Sequence, residues 1–155
     1  MTPATKALDK AKIQYSIHEY QHDANSTAYG LEAAEKLNLP VEQVFKTLVA
    51  ELDSAKLVVA IIPVAHKLNM KQLAKAAGCK KAAMATPQDV QRSTGYILGG
   101  VSPIGQKKRL ATFIDASAAG LSLIYVSGGR RGLDIALSPT DLQNITQAKF
   151  TQLTA

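Results

Sequence analysis

Val44-Phe45-Lys46-Thr47-Leu48-Val49-Ala50-Glu51-Leu52, then Asp53-Ser54-Ala55-Lys56, then Leu57-Val58-Val59-Ala60-Ile61-Ile62-Pro63 is the stretch that decides the fold. Two apolar runs rich in β-branched residues flank a short segment with turn chemistry, the pattern of a β-hairpin. A hairpin at the centre of the chain excludes a regular βαβ succession with an all-parallel sheet. One residue interrupts the first run. Strand alternation places Val44, Lys46 and Leu48 on one face and Phe45, Thr47 and Val49 on the other. Lys46 therefore stands either at a solvent edge, where lysine discourages aggregation, or in a cleft, where a compact cation suits phosphate.

Outward from the hairpin, the flanking segments alternate between helix and strand signals. Thr2-Pro3 pairs a cap with proline at the first helical position, predicting a helix to about Lys12. Residues 14–20 alternate as a strand, with Tyr15 and Ile17 on one face and His18 and Tyr20 on the other. Residues 28–37 read as a helix that Pro40 prevents from continuing. Asn69 caps a helix over 70–77, with Gly78 suited to its left-handed exit. Thr86-Pro87 opens another that ends near Gly95, and residues 96–105 form a shaped loop. Strands follow at 110–114, 121–126 and 133–137, the last two joined by Ser127-Gly128-Gly129-Arg130-Arg131-Gly132. Ser138-Pro139 starts a final helix, and 149–153 reads as a closing strand. The expected architecture is α/β of the mixed α+β kind. One domain spans 1–155, with a mixed, mostly antiparallel, barrel-like sheet surrounded by helices.

The 155 residues suit one domain, and a chain of that length hides about 68–70% of its unfolded surface without disulfide or metal staples. No low-charge apolar stretch is long enough to span a bilayer, and the first residues lack the apolar core of a signal peptide. The expected location is cytoplasmic, with no membrane partner. Lys and Arg number 18 against 12 Asp and Glu, a net charge of +6, and that surplus favours a polyanion. It is clustered: Lys67, Lys71, Lys75, Lys80 and Lys81 mid-chain, then Lys107-Lys108-Arg109, then Arg130-Arg131.

Few residues offer chemistry. Gly99-Gly100-Val101-Ser102-Pro103 and Ser127-Gly128-Gly129 are either turns or places where bare backbone aims N–H groups at an oxyanion or phosphate. Arg130 and Arg131 beside the second suit phosphate contacts. Of His18, His22 and His66, the first two have a spacing that would juxtapose ligands on a helix, but they straddle a strand end and a loop, so no metal or other cofactor is expected. No Gly-x-Ser-x-Gly elbow supports a serine nucleophile. Cys79 has no partner for a disulfide. Asp134 follows the second glycine segment, and Tyr20, Tyr29 and Tyr96 either stack a base or pack. From these residues alone the reading stops at a basic globular domain with two glycine segments and one misplaced lysine.

Three motifs in order change that reading. They are Phe45-Lys46-Thr47-Leu48; Ser93-Thr94-Gly95-Tyr96 leading into Gly99-Gly100-Val101-Ser102-Pro103-Ile104-Gly105-Gln106-Lys107-Lys108; and Ser127-Gly128-Gly129-Arg130-Arg131-Gly132. Together with Met1-Thr2-Pro3-Ala4 and Glu32-Ala33-Ala34-Glu35-Lys36-Leu37, they make the chain resemble the YbaK/EbsC family of Cys-tRNA(Pro) deacylases. That family is related to the editing domain inserted in many bacterial prolyl-tRNA synthetases.

The resemblance implies trans-editing hydrolysis of mischarged Cys-tRNA(Pro), with prolyl-tRNA synthetase as a further partner. It places the family's lysine at Lys46, holding the phosphate near the tRNA 3′ end, and its pocket glycine at Gly99. Tyr20, Tyr29, Thr47, Ser127 and Asp134 fall on the other pocket positions, and Gly100, Gly128 and Gly129 supply backbone beside them. Tyr29 departs from the phenylalanine common in relatives. Lys107, Lys108, Arg130 and Arg131 are candidate tRNA contacts. The implied mechanism takes its attacking sulfur from the substrate, which leaves Cys79 a structural residue. Deacylation of Ala-tRNA(Pro) or Cys-tRNA(Cys), or non-catalytic binding of tRNA or synthetase, are the alternatives.

Overall fold

The computed structural model describes residues 1–155 and contains the hairpin expected at its centre. Strands β2 (Phe45–Leu52) and β3 (Leu57–Pro63) pair antiparallel, from Phe45 opposite Pro63 to Glu51 opposite Leu57. β3 is buried on both faces. Val59 and Ile61 enter the main core, whereas Val58, Ala60 and Ile62 enter a second cluster behind the sheet, as its unbroken apolar sequence requires. The other strands are β1 (Ser16–Glu19), β4 (Ala82–Met84), β5 (Ala111–Asp115), β6 (Ile124–Arg130), β7 (Leu133–Leu137) and β8 (Lys149–Thr151).

They form two sheets, one in the order β1-β7-β6 and one in the order β4-β2-β3-β5-β8. The β3–β5 and β5–β8 pairs are parallel and the other pairs antiparallel. The expected barrel-like arrangement stops short of closure. Only the bridge between Val44 and Tyr125 joins the sheets at β2, while the far end of β2, from Ala50 to Leu52, pairs with β4. β2 thus forks, leaving its outer edge without a partner strand between the two junctions.

The helices are α1 (Pro3–Lys10), α2 (Tyr29–Lys36), α3 (Met70–Ala76), α4 (Pro87–Thr94) and α5 (Pro139–Thr146). Thr2, Asn69, Thr86 and Ser138 each accept a hydrogen bond from the amide three residues on, satisfying one of the donors a helix start leaves open. The main core lies between the sheets. Phe45, Ile61, Ile114, Val126 and Ile135 meet Leu8 of α1, Val90 of α4 and Leu142 of α5 there. Leu73 of α3 covers the back of the larger sheet. Ala34 of α2 packs on Val44, Val64, Tyr125 and Ala136, where the sheets meet.

Two sequence expectations change. β4 is a strand the sequence pattern does not announce. The segment expected to join β6 to β7 as a loop is instead mostly strand: β6 continues to Arg130 through a register shift between Ser127 and Arg130, leaving only Arg131 and Gly132 as the turn. This is a β-bulge, which bends a strand without ending it.

Candidate active site

The unpaired edge of β2 is one wall of a cavity of about 320 Å³. Phe45, Lys46, Thr47 and Leu48, four consecutive residues, all line it. A cavity on one face of a strand would meet only alternate residues, so this one lies against the strand's edge. Lys46 is flanked by Val44, in the cluster under α2, and Leu48, at the margin of the cluster under α3. It makes no ion pair with any carboxylate. Burial, with a smaller contribution from the nearby Lys67 cation, lowers its pKa below the ordinary lysine value. Beside it the Thr47 hydroxyl is buried with no hydrogen-bond partner.

The second wall comes from the small sheet. β7 turns Ile135 and Leu137 into the main core, so alternation puts Asp134 on the opposite face, where the register sets it between Ser127 of β6 and His18 of β1. Asp134 is 7% exposed. Burial alone pushes its carboxyl up to about 7, with no hydrogen bond or cation to offset it. Tyr20, which follows β1, is pushed up to about 12 by burial and then by the Asp134 charge. The Ser127 hydroxyl accepts from the Gly129 amide.

The third wall is α2 and the loop before it. Gly30 lies so close to Val64, the residue after β3, that an added β-carbon would stand 2.3 Å from Val64 Cγ1 and 3.9 Å from Lys46 Cβ. Glu32, buried on the same helix, ties the preceding loop down. It accepts from the Asp23 amide at 2.8 Å, pairs with His22 Nδ1 at 2.6 Å and lies 3.3 Å from Lys36 Nζ. Burial would raise its pKa, but those three partners outweigh it and hold the carboxyl below the ordinary glutamate value.

The loop over residues 96–105 closes the rim. Tyr96 spans it by donating its hydroxyl to the Ile104 carbonyl at 2.6 Å. At 4% exposure that ring is a packing residue, beyond reach of any base. Gly99 has φ +86°, and a β-carbon there would meet the Tyr29 ring at 2.7 Å. Arg131 lies 5.0 Å over the Tyr29 ring and donates from Nε to the Leu98 carbonyl at 2.9 Å, so the rim is locked through one aromatic ring.

Of the residues singled out from the sequence, Tyr20, Tyr29, Lys46, Thr47, Gly99, Ser127 and Asp134 line the cavity. Gly100, Gly128 and Gly129 stand behind its wall. Added β-carbons would meet Arg130 backbone at 2.8 Å, Leu133 at 2.8 Å and Tyr96 at 2.9 Å, respectively. Arg130 is paired with Glu19 at 2.8 Å. Lys107 is exposed, and Lys108 borders a different cavity between α1, α5 and residues 103–110. Gly30 is not singled out by the sequence reading, and Glu32 enters it only as part of the matching stretch 32–37, with no role at the site. A glycine inside a helical pattern was the available signal for the first.

Comparison with known proteins identifies the family. Residues 25–145, which include Lys46, Gly99, Ser127 and Asp134, match the aminoacyl-tRNA editing domain. The chain belongs to that family. It is 37% identical over 153 residues to the "Putative Cys-tRNA(Pro)/Cys-tRNA(Cys) deacylase EbsC" of Enterococcus faecalis, covering 99% of this chain and 93% of that one. It is also 29% identical over 102 residues to the proline–tRNA ligase of Geobacter metallireducens, a match covering 66% of this chain and 17% of the ligase. Among solved structures, the hypothetical protein APE2540 superposes with a TM-score of 0.87 at 23% identity, covering 99% of both chains. A "putative trans-editing enzyme for prolyl tRNA synthetase" superposes with a TM-score of 0.84 at 23% identity, covering 99% of this chain and 95% of that one. These two likenesses establish the fold of this editing domain.

Proposed function

We propose that this editing domain acts in trans as a hydrolase of mischarged Cys-tRNA(Pro), with the ester linkage seated between Lys46 and Asp134. The observation that carries the reading is what the cavity holds and what it lacks. A cation without a counter-ion and a buried carboxylate line one cavity with Thr47, whose hydroxyl is unbonded, and neither histidine nor cysteine lines it. Ser127 accepts a hydrogen bond from backbone and makes none to Asp134, the carboxyl opposite it across the strand pair, so no side chain is set up as a nucleophile.

The substrate then brings its own. The cysteinyl sulfur attacks its ester carbonyl, forming a carbon–sulfur bond, and the carbonyl–ribose oxygen bond breaks. The thiol proton ends on the departing ribose hydroxyl, and water opens the strained four-membered thioester to free cysteine. The protein contributes position and charge. Lys46 holds the phosphate next to the terminal ribose, the bare backbone at Gly99 lets the carbonyl approach, and Asp134 takes the α-ammonium group, which would keep its carboxyl ionised. Tyr20, Tyr29, Thr47 and Ser127 wall the aminoacyl group.

Incubating the pure protein with tRNA(Pro) charged with cysteine, alanine or proline, and with Cys-tRNA(Cys), tests this. Release from Cys-tRNA(Pro) with alanyl and prolyl esters spared is the expected result; equal release of alanine, which has no sulfur, overturns the mechanism. Hydrolysis of Cys-tRNA(Cys) at the same rate would make the aminoacyl group alone the determinant. The E. faecalis relative, whose name carries both tRNAs, favours that as the second reading. The likeness to a proline–tRNA ligase supports the synthetase as the partner that supplies tRNA identity.

A further inference from the structure

We infer that the duplex stem next to the charged 3′ end lies along α3, on a track made by Lys67, Lys71 and Lys75; this rests on the reading of the cavity as a site for charged tRNA. Lys71 and Lys75 are one helical repeat apart, about 6 Å along the axis, on the face opposite the buried Leu73. Lys67 stands just before the helix cap and is close enough to Lys46 to lower its pKa. Val64 lines the cavity and Lys67 follows it by three residues, so the track begins beside the cavity. All three lysines are exposed, and none has a carboxylate partner.

The surrounding sequence has the same bias. Residues 65–88 hold five lysines and no acid. The acids that approach from the adjoining hairpin, Glu51 and Asp53, lie beside β4 and Lys81, since Glu51 pairs with Ala83 and the Asp53 amide donates to the Lys81 carbonyl. Uncompensated cations spaced along one face gain their energy by displacing counter-ions from a phosphate backbone. The other basic clusters are placed less well. Arg130 is neutralised by Glu19 and Arg131 is held on Tyr29. Lys108 and Arg109 border a separate cavity that shares no residue with this one.

The test uses uncharged tRNA(Pro), so that binding is measured apart from hydrolysis. Affinity of the wild type, of Lys71→Gln/Lys75→Gln and of Lys107→Gln/Lys108→Gln is followed from 50 to 200 mM salt. With about 0.9 counter-ions released per phosphate, losing two contacts makes the salt-induced loss of affinity roughly tenfold smaller than in wild type. That is expected of the α3 variant alone, with Lys71→Arg/Lys75→Arg restoring the wild-type slope. A cysteinyl ester of adenosine 5′-monophosphate, which has no chain beyond the phosphate assigned to Lys46, should be hydrolysed equally by all four proteins. A wild-type slope in the α3 variant, or the reduced slope in the Lys107/Lys108 variant instead, overturns the track and leaves the hydrolase reading standing. Failure to hydrolyse any charged tRNA while the slope still responds at α3 would overturn the hydrolase reading and leave an RNA track.

Discussion

Gly99 faces the ring of Tyr29 at a distance no side chain could share: an added β-carbon would lie 2.7 Å from Cδ1 and from Cε1, and 2.9 Å from Arg131 Nε. Loop 96–105, α2 and the β6–β7 turn therefore meet at a point with room for one hydrogen. Gly99→Ala forces the ring or the loop to move and also places alanine at φ +86°. The expected cost is roughly 2–4 kcal/mol, from overpacking together with the left-handed backbone. A thermal melt several degrees lower and deacylation reduced more than tenfold are the expected readouts. Gly78→Ala is the control: it has similar φ, +77°, but nothing within 4 Å, so it loses only the backbone term and keeps its activity.

Lys46 has the opposite profile, contributing to function without supporting the fold. It has no carboxylate partner, and its charge is partly desolvated, so removing it should leave thermal stability unchanged or slightly higher. Lys46→Ala is expected to lower kcat/KM by roughly 10²-fold, the scale for one preorganised charge at a reacting centre. Because the Lys67 cation contributes to the lowered pKa of Lys46, Lys67→Gln should move the Lys46 titration upward. NMR of the Lys46 side chain in the free protein measures that shift. An unmoved titration would remove the electrostatic link between cavity and α3.

Local chemistry was legible in the sequence, and long-range destination was not. Thr2, Asn69, Thr86 and Ser138 could be read as caps because a cap and its donor are neighbours in the chain. The β2–β3 hairpin could be read because its pattern and its turn lie in one stretch. β4 is three residues long, too short to show a period, and exists because β2 offers it an edge. Gly128-Gly129 read as a loop, since glycine marks turns and bulges alike; only the partner strand distinguishes them. Lys46 could be placed at an edge or in a cleft, and the structure makes these one place, because the unpaired edge of β2 is the cleft. Which glycines would face substrate and which would pack on Arg130, Leu133 or Tyr96 depended on contacts far away in sequence.

Cys79 separates two mechanisms. Cys79 is not among the residues lining the cavity; its thiol donates to Ser54 Oγ at 3.8 Å, and it packs at the margin of the cluster under α3. Cys79→Ala should retain full deacylation and lose less than about 1.5 kcal/mol of stability. Loss of turnover in a folded Cys79→Ala protein would mean that the protein, rather than the substrate, supplies the sulfur.

Glu32 is expected to affect both stability and substrate binding. Its contacts hold His22 and Asp23 of the preceding loop against α2, and residues 27 and 28 of the tethered loop line the cavity. Glu32→Gln should cost about 1–3 kcal/mol at neutral pH, the range for losing charged hydrogen bonds at a buried group, and raise KM more than it lowers kcat. The lowered pKa fixes the pH dependence. The ionised form stabilises the fold above the unfolded-state value of 4.5, and that stabilisation is lost as pH falls through the lower folded-state value. Denaturant melts of wild type and Glu32→Gln should therefore converge on acidification and be furthest apart near neutrality.

Asp134 runs the other way, because burial raises its carboxyl to about 7 from 3.8. An unfolded chain releases this proton near 3.8, while the folded protein keeps it until about 7. Stability is therefore lost progressively between those values, by up to about 4 kcal/mol above pH 7. Asp134→Asn removes the ionisation and should be the more stable protein at pH 8, with the advantage disappearing toward pH 4. If the carboxylate receives the substrate's α-ammonium group, the same substitution must reduce activity, and wild-type kcat/KM must rise with pH through about 7 as the free carboxyl ionises. In Asp134→Asn that rise should be absent. A variant both more stable and fully active would show that this carboxylate is tolerated in the cavity without serving the substrate, and the ammonium contact would have to be sought at Tyr20 or the Gly99 loop.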